Sequence, residues 1–371
     1  MDVKGSAQLK RAPASSLLAS QFRYREIKIM LRVSDIADKL KLSRVTVSAI
    51  LNDRYRKLGI SEKTAKRVRD CAQELGYLPN QNALSMKTGR SMTIGMLSSS
   101  LGEEWGGKVL LGALSAMQNS PYSLRIEAVL GAAEERVALE RLLGSRIEGL
   151  FCCNINPDAE TDEFFRLATA RYKVAVVSTN CSFSFPHIRV ETDNCTAVRS
   201  LVEHLVELGH RRIAHIGGDQ ISEASRERSE AFLQSVEFFK LNPVECPVHF
   251  SNWQSEQARA LARELLNQPN RPTAIVCAND ALAASILQVA HELKLKVPEE
   301  LSVVGMTNER VSRLTVPELT TVSIPEEAIG RAGILALIGS IDSKQAKVNQ
   351  SVNRLACSIV VRGSSAAAPI S

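Results

Sequence analysis

The chain has 371 residues, of which 44% are apolar and 23% are charged, an ordinary composition for globular protein and enough chain for two or three domains. No stretch approaches the roughly 20 apolar residues of a membrane span, and the N-terminus lacks the apolar block of a secretory signal, so neither a membrane protein nor a secreted one is expected. The eight cysteines include no CxxC pair, which is typical of buried thiols in a reducing compartment. We expect a cytoplasmic protein.

Charge is unevenly distributed along the chain. Residues 1–90 contain 19 Lys and Arg against 8 Asp and Glu, a net charge of +11, and residues 91–371 carry −5, which together give the total of +6. The basic end is therefore the candidate for binding a polyanion. Residues 1–29 show no clean periodicity, and we expect a flexible tail there, or a segment that precedes the natural start if translation begins at Met30.

Three short amphipathic helices are predicted within residues 30–78. Ser34 is the expected N-cap of the first helix and Ser43 that of the second. The third begins at Ser61 and ends at Gly76, with apolar residues at helical spacing between them. Three helices of this size could form either a nucleic-acid-binding or a protein-binding module.

The turn between the first two helices favours DNA binding. Only Lys41 and Leu42 separate them, as in a helix-turn-helix unit whose second helix enters the major groove. Arg44 lies in the first turn of that helix, where a guanidinium can bond O6 and N7 of guanine. The side chains expected to face outward are Arg44, Val45, Ser48 and Ala49.

From Met92 onward, apolar strand-like runs alternate with amphipathic helical segments. This alternation predicts parallel sheets covered by helices on both faces. It occurs twice, so an α/β core of two doubly wound lobes is predicted. Ligands of such sheets bind beyond the carboxyl ends of the strands, which here means the residues after MTIGML, RRIAHIGG, TAIVCA and LSVVG.

The head and its junction with the core resemble the LacI/GalR family of transcription regulators. The matching stretches are VSDIADKLKLSRVTVSAILN and SEKTAKRVRDCAQELGYLPNQNALSMKTGRSMTIGML. Lys41 stands where the family commonly has glycine, at a cost of about 1 kcal/mol if it is left-handed. The resemblance implies that bases are read by Arg44, Val45 and Ala49, the last offering only a methyl contact. It implies phosphate contacts from Ser43, Thr46, Ser48, Asn52, Ser61 and Thr64.

Residues 79–91, PNQNALSMKTGRS, join the head to the core as a hinge and linker. The helix expected over 81–87 is too short to be stable alone in water. The resemblance implies that it folds in the minor groove when two copies pair on DNA, with contacts from Asn80, Ala83 and Met86. Met86 takes the place of the leucine that wedges between base steps.

The core resembles the family's sensor domain, which is similar to periplasmic sugar-binding proteins. The resemblance covers residues 31–364 and implies three crossings between the lobes, near Leu208, Val322 and Val348. The expected N-lobe is residues 92–208 plus 323–347, the expected C-lobe is residues 209–322 plus 348–362, and a flexible tail is expected over 363–371.

A small effector is expected between the lobes. The resemblance implies that Arg228 grips it, that Asn279 presents an amide, and that Trp105 and Trp253, the only two tryptophans, lie against it. Thr307 replaces the carboxylate that relatives commonly have after SVVG. Each residue also has an ordinary structural alternative: a surface arginine, a helix N-cap, a core anchor or a packing residue.

We therefore expect a homodimeric, nucleoid-associated transcription regulator that reads a pseudo-palindromic operator in double-stranded DNA, most often as a repressor. Its effector is expected to be small and polar, carbohydrate-like or a related metabolite, and neither a cofactor nor a metal site is implied. An enzyme is disfavoured because the sequence contains no G-x-x-x-x-G-K-[ST], G-x-G-x-x-G or G-x-S-x-G motif. A solute-binding receptor is the other alternative, and salt-dependent binding to duplex DNA separates it from a regulator. The identity and sign of the effector, the operator and the choice between repression and activation remain open.

Overall fold

The computed structural model describes residues 31–78, 85, 89–118, 120–181, 183–343 and 351–369. The chain divides into two compact units with the boundary between Leu84 and Ser85. The expectations for residues 1–29 and for Asn80, Ala83 and Met86 concern positions outside the described residues. In the described part of the chain, no helix is long and apolar enough to cross a membrane.

The head contains the three predicted helices. They are α1 (Val33–Leu40), α2 (Arg44–Leu51) and α3 (Glu62–Leu75), with a 3-10 turn at Tyr55–Leu58 between the last two. A small apolar core lies between the helices because the apolar face of each helix points inward. Its fully buried members are Ile36, Val47, Ile50, Ala65 and Val68.

The ends of these helices follow local hydrogen bonding, with one correction to the sequence prediction. Ser34 is not a cap, because α1 already begins at Val33. The cap position belongs to Arg32, whose backbone N–H donates to the Asp35 carboxylate at 2.8 Å. Ser43 and Ser61 cap α2 and α3 as predicted, and Gly76 ends α3 at φ 67°. An acidic residue at the third helical position, here Asp35, accepts a hydrogen bond from the backbone amide of the N-cap residue.

The core contains twelve strands and eight helices among the described residues. The strands are β1 (Thr93–Ser98), β2 (Ser123–Ala128), β3 (Gly149–Cys153), β4 (Ala175–Thr179), β5 (Ile188–Thr192), β6 (Ile213–Gly217), β7 (Val248–Phe250), β8 (Ala274–Cys277), β9 (Ser302–Val304), β10 (Thr321–Ser323), β11 (Ser351–Leu355) and β12 (Ser358–Val360). The helices are α4 (Glu104–Met117), α5 (Ala132–Gly144), α6 (Ala159–Tyr172), α7 (Asn194–Glu207), α8 (Glu223–Phe238), α9 (Ser255–Leu266), α10 (Asp280–Glu292) and α11 (Glu326–Asp342).

Two parallel sheets define the two lobes, as the alternating pattern predicted. The N-lobe sheet has the order β11-β5-β4-β3-β1-β2, and the C-lobe sheet has the order β7-β6-β8-β9. A two-stranded antiparallel ribbon of β10 and β12 completes the C-lobe, linked to β9 and the residues after it by bridges at Val304 and Thr307. Because the strands of each sheet are parallel, their carboxyl ends lie together at one edge.

The crossings between the lobes differ from two of the expected positions. The first follows β5 at Asp193, since α7 packs against α8 in the C-lobe, so Leu208 lies well inside that lobe. The second follows β10 and is close to the expected Val322. The third follows β11, which pairs with β5 in the N-lobe sheet, so it lies after Leu355 rather than near Val348. The sequences of β5 and β11, IRVET and SVNRL, are too polar to be predicted as buried strands.

The expected flexible tail over 363–371 is wrong for its described residues. Ser364 is fully buried, and its carbonyl accepts the Val303 backbone amide at 2.9 Å. The amide of Ala368 donates to the Leu208 carbonyl at 2.8 Å. Residues 363–369 therefore pack along the edge of the C-lobe sheet. The small side chains of GSSAAAPIS gave no sign of this interaction because it is made largely by backbone groups.

Candidate functional site

The first turn of α2 presents the candidate base-reading surface. Arg44 is exposed and Val45 is 73% exposed, so both side chains are available to a groove. Ala49, by contrast, is only 5% exposed. The chain after α2 folds back beside it, with the Arg54 amide donating to the Ala49 carbonyl at 2.8 Å. The prediction that Ala49 faces outward to contact a thymine methyl is therefore wrong, because its methyl group packs inside the head.

Two helix N-termini in the head share one arrangement. Ser43 Oγ accepts the Thr46 amide at 3.0 Å and lies 2.8 Å from the Thr46 hydroxyl. Ser61 Oγ accepts the Thr64 amide at 3.3 Å and lies 2.9 Å from the Thr64 hydroxyl. Each end thus combines two hydroxyls with the unpaired amides and positive end of a helix dipole, a combination that suits a phosphate oxygen.

The other two candidate phosphate ligands contact each other. Asn52 Nδ2 donates to the Ser48 carbonyl at 2.5 Å and lies 3.4 Å from its hydroxyl. This side chain closes the C-terminal end of α2 by satisfying a carbonyl of its last turn. Binding of phosphate by Ser48 and Asn52 stays a prediction.

The second candidate site lies between the two lobes, at the carboxyl ends of the strands of both parallel sheets. Trp105 is in the first turn of α4, directly after β1, and is 5% exposed. Trp253 follows β7, and a Cβ placed on Gly218 would lie 2.1 Å from its Cε2 atom, so only glycine fits beneath the indole ring. Trp253 Nε1 is 3.4 Å from the Ser222 hydroxyl. Each lobe therefore contributes one tryptophan.

Arg228 is a buried cation in α8 without a counter-ion in the described part of the chain. The residue is 4% exposed, and its guanidinium donates through Nε to Asn194 Oδ1 at 3.0 Å and through an Nη to the Ala278 carbonyl at 2.6 Å. No ion pair between described residues includes it. Burial lowers the pKa of Arg228 to about 10. A guanidinium held this way favours a ligand that brings hydrogen-bond acceptors.

A carboxylate that sequence reasoning missed lies behind Thr307. Asp280 is fully buried and accepts the Thr321 hydroxyl at 2.6 Å, the Glu309 amide at 2.8 Å and the Thr307 hydroxyl at 3.5 Å. Burial raises its pKa to about 7. Asn279, one residue earlier, caps α10 by accepting the Leu282 amide at 2.9 Å. The only signal for Asp280 was its place three residues after the end of β8.

Several buried polar atoms around the facing lobe ends have no hydrogen-bond partner among the described residues. In the N-lobe these atoms include the hydroxyls of Thr179 and Thr192, at the carboxyl ends of β4 and β5, and Trp105 Nε1. In the C-lobe they include Ser225 Oγ and Glu223 Oε2 in the first turn of α8. Buried polar groups are normally paired, so this set of donors and acceptors favours a polar ligand, as expected from the sequence, although Thr179, Thr192 and Ser225 were not predicted.

A helix-turn-helix head on a core of two periplasmic-binding-protein-like lobes defines a DNA-binding regulator. Residues 32–80 match the family model described as bacterial regulatory proteins of the lacI family. Residues 202–365 match the periplasmic binding protein-like domain. These two matches, in this order, support the LacI/GalR family of transcription regulators and confirm the predicted fold.

Individual relatives match over almost the whole chain. The HTH-type transcriptional repressor CytR of Escherichia coli strain K12 is 26% identical over 91% of this chain and 97% of its own length. The repressor PurR of Pectobacterium carotovorum subsp. carotovorum strain PC1 is 28% identical over 85% of this chain and 92% of its own. The crystal structure of the lac repressor dimer bound to operator and the anti-inducer ONPF superposes with a TM-score of 0.80 at 25% identity, covering 91% of this chain and all of that one.

Proposed function

We propose that this protein is a homodimeric transcriptional repressor that acts in the cytoplasm at the nucleoid without catalysing a reaction, and whose operator affinity is set by a small polar effector between its lobes. The observation that carries the proposal is the pairing of two separate binding surfaces in one chain. One is the exposed first turn of α2, and the other is the buried Arg228 together with the unpaired buried polar atoms at the carboxyl ends of the strands and in the first turn of α8. The relatives CytR and PurR are named as repressors, which supports the sign of the regulation.

The head offers two kinds of contact with an operator, one to the bases and one to the phosphate backbone. Arg44 and Val45 provide the base contacts, one a bidentate donor and the other an apolar surface for a thymine methyl. The paired hydroxyls at Ser43 and Ser61 fix the head on the phosphate backbone. Two heads in a two-fold dimer require two half-sites, so the operator is pseudo-palindromic. Contacts from the hinge at Asn80, Ala83 and Met86 remain part of this proposal.

The core supports an effector rich in hydroxyl groups. Arg228 and Trp105 Nε1 donate hydrogen bonds, Glu223 Oε2 accepts, and the threonine hydroxyls do both. The two indole rings add apolar faces of the kind that cover a sugar or a nucleobase. Carbohydrates, nucleosides and related metabolites fit this chemistry.

The head is tested by Arg44→Ala on an operator obtained by selection from random duplex DNA. We expect the variant to lose preference at one base pair of each half-site by about 1–3 kcal/mol while keeping its non-specific affinity, because a base contact is removed and the phosphate contacts remain. Fluorescence anisotropy with single-base operator variants measures this.

Arg67→Ala is the matched control, since Arg67 is an exposed arginine in α3, and its removal should not change base preference at any position. Equal weakening on all sequences by Arg44→Ala would make Arg44 a phosphate contact. A monomeric protein that binds one isolated half-site as well as the full site would contradict the dimer.

A further inference from the structure

A cluster of charged side chains joins the two lobes beside the proposed effector site. We name it the lobe clasp: Arg189 and Glu191 in β5 and Arg354 in β11 belong to the N-lobe, and Glu223 and Glu227 in α8 belong to the C-lobe. These five side chains face each other across the lobe boundary. The sequence patterns use none of them, and the proposed effector chemistry uses only the Oε2 atom of Glu223.

Arg189 is the centre of the lobe clasp. Its Nε donates to Glu191 Oε1 at 3.2 Å within the N-lobe, and an Nη donates to Glu223 Oε1 across the boundary. Glu191 Oε2 accepts the backbone amide of Asn180 at 3.1 Å. Glu191 is 1% exposed and Glu223 is 9% exposed. One guanidinium therefore joins two buried carboxyl groups that belong to different lobes.

The lobe clasp holds more negative than positive charge. Three carboxyl groups face two guanidiniums, and Arg354 compensates weakly, because it is 3.8 Å from Glu227 and its side chain is 54% exposed. Glu227 is also bonded to Asn194 Nδ2 at 2.7 Å. The remaining buried oxygen, Glu223 Oε2, has no partner among the described residues. Two buried carboxyl groups that share one guanidinium are stabilised when one of them binds a proton.

The other groups around Glu191 strengthen this argument. Burial, and then the neighbouring Glu223, raise the pKa of Glu191 to about 8, against the lowering effect of the Asn180 amide and Arg189. Burial also raises the pKa of Glu223, although Arg189 opposes it. The nearby thiols of Cys153 and Cys181 have strongly raised pKa values because of their burial, and so stay neutral. Arg226, an exposed residue of α8, also lowers the pKa of Glu223.

We propose that Glu191 and Glu223 together hold one proton while the lobes are in contact, and that release of this proton to solvent opens the lobes. Contact of the lobes desolvates both carboxyl groups, whereas separation exposes them to water. At neutral pH, the two carboxyl groups thus bind a proton when the lobes are in contact and release it when the lobes separate. The pH range concerned lies between the ordinary carboxyl pKa and about 8, the raised pKa of Glu191. Within it, each rise of one pH unit increases the ratio of molecules with separated lobes to molecules with lobes in contact by up to about tenfold. The regulator would then respond to pH through the same lobe movement as to its effector.

The test uses the full-length protein without effector, at constant ionic strength. We expect its radius of gyration from small-angle X-ray scattering to increase between pH 5 and 8. Emission from Trp105 and Trp253, one in each lobe, should shift over the same range. Glu191→Gln, which mimics the protonated acid, should keep the low-pH values of both quantities throughout. Glu264→Gln, an exposed carboxyl group on α9, is the matched control and should behave as the wild type.

Glu223→Gln provides an independent variant in case Glu191→Gln is poorly folded by circular dichroism. With one carboxyl group left beside Arg189, the transition should move to lower pH than in the wild type or disappear. Burial also raises the pKa values of Glu103 and Glu309, so the titration of these two groups could change tryptophan emission without any lobe movement. A change in emission without a change in scattering would therefore contradict the proposal. A scattering transition that persists unchanged in both variants would also overturn it.

Discussion

Lys41 shows how a single residue conflicts with the turn it occupies. It ends α1 in the left-handed conformation at φ 55°, where its amide donates to the carbonyls of Ala37 and Asp38. A side chain with a Cβ is disfavoured there by about 1 kcal/mol relative to glycine. Lys173 ends α6 in the same way at φ 56°. The head therefore accepts a small strain in order to close its tight turn.

We predict that Lys41→Gly stabilises the head by about 1 kcal/mol, because glycine adopts the left-handed conformation without a steric cost. Hydrogen exchange of peptides from residues 31–78 in the full chain measures the change as increased protection. Lys39→Gly, inside α1, is the control and should reduce protection by a similar amount. Reduced protection in Lys41→Gly would mean that the lysine side chain contributes more than its backbone strain costs.

The candidate sites also show which residues a sequence pattern can find. Arg228 and Trp105 were predicted because they stand at positions matching a known family, and both are buried. Their contact with an effector stays a prediction. Ala49 was assigned wrongly because helical periodicity in α2 does not include the loop that folds back beside it. Asp280 was missed because its role depends on Thr321 and Glu309, which are far away in sequence.

At the scale of elements, the C-terminal residues behave as part of the C-lobe sheet. Ser364 Oγ accepts the Thr320 amide at 2.8 Å and donates to the Val303 carbonyl at 2.5 Å. A ring nitrogen of His210 is 3.0 Å from the Ala366 carbonyl. These contacts tie the end of the chain to β9 and to the loop after α7, both in the interior of the C-lobe.

We predict that removing residues 364–371 destabilises the C-lobe by more than about 3 kcal/mol, since several buried backbone groups lose hydrogen bonds worth about 1 kcal/mol each and remain unsatisfied. Urea unfolding followed by Trp253 emission in a Trp105→Phe background reports on this lobe. A chain that lacks only residues 370–371 is the control and should unfold as the parent does. Equal midpoints for both truncations would show that the buried tail adds no stability.

At the scale of the whole molecule, the proposed regulation depends on one ligand bringing the lobes together. Arg228 belongs to the C-lobe, and its Nε bond to Asn194 reaches the first helical residue after the crossing at Asp193. Asn194 is 2% exposed. A ligand that binds Arg228 therefore acts on a side chain beside the pivot between the lobes, and it can shift the lobe equilibrium only by its differential affinity for the two states.

We predict that at least one compound in a thermal-shift screen of sugars, sugar phosphates, nucleosides and nucleobases raises the melting temperature, since binding to the folded state stabilises it by mass action. Arg228→Ala should abolish that shift and the accompanying change in operator affinity, while affinity for operator without ligand is retained. Arg199→Ala, which changes an exposed arginine of α7, is the control. An unchanged titration with Arg228→Ala would exclude this residue from the site.

The sequence by itself determined the local and repetitive features of this protein. Serine caps, glycine stops and helical periodicity specify the head because they act over three or four residues, and alternating strands and helices specify two parallel lobes for the same reason. Only the tertiary structure decided where the polar strands β5 and β11 join their sheet, that residues 363–369 pack against the C-lobe, and that Glu191 meets Glu223. These features depend on backbone pairing and on charges brought together from distant positions, and no local pattern encodes which partners will meet.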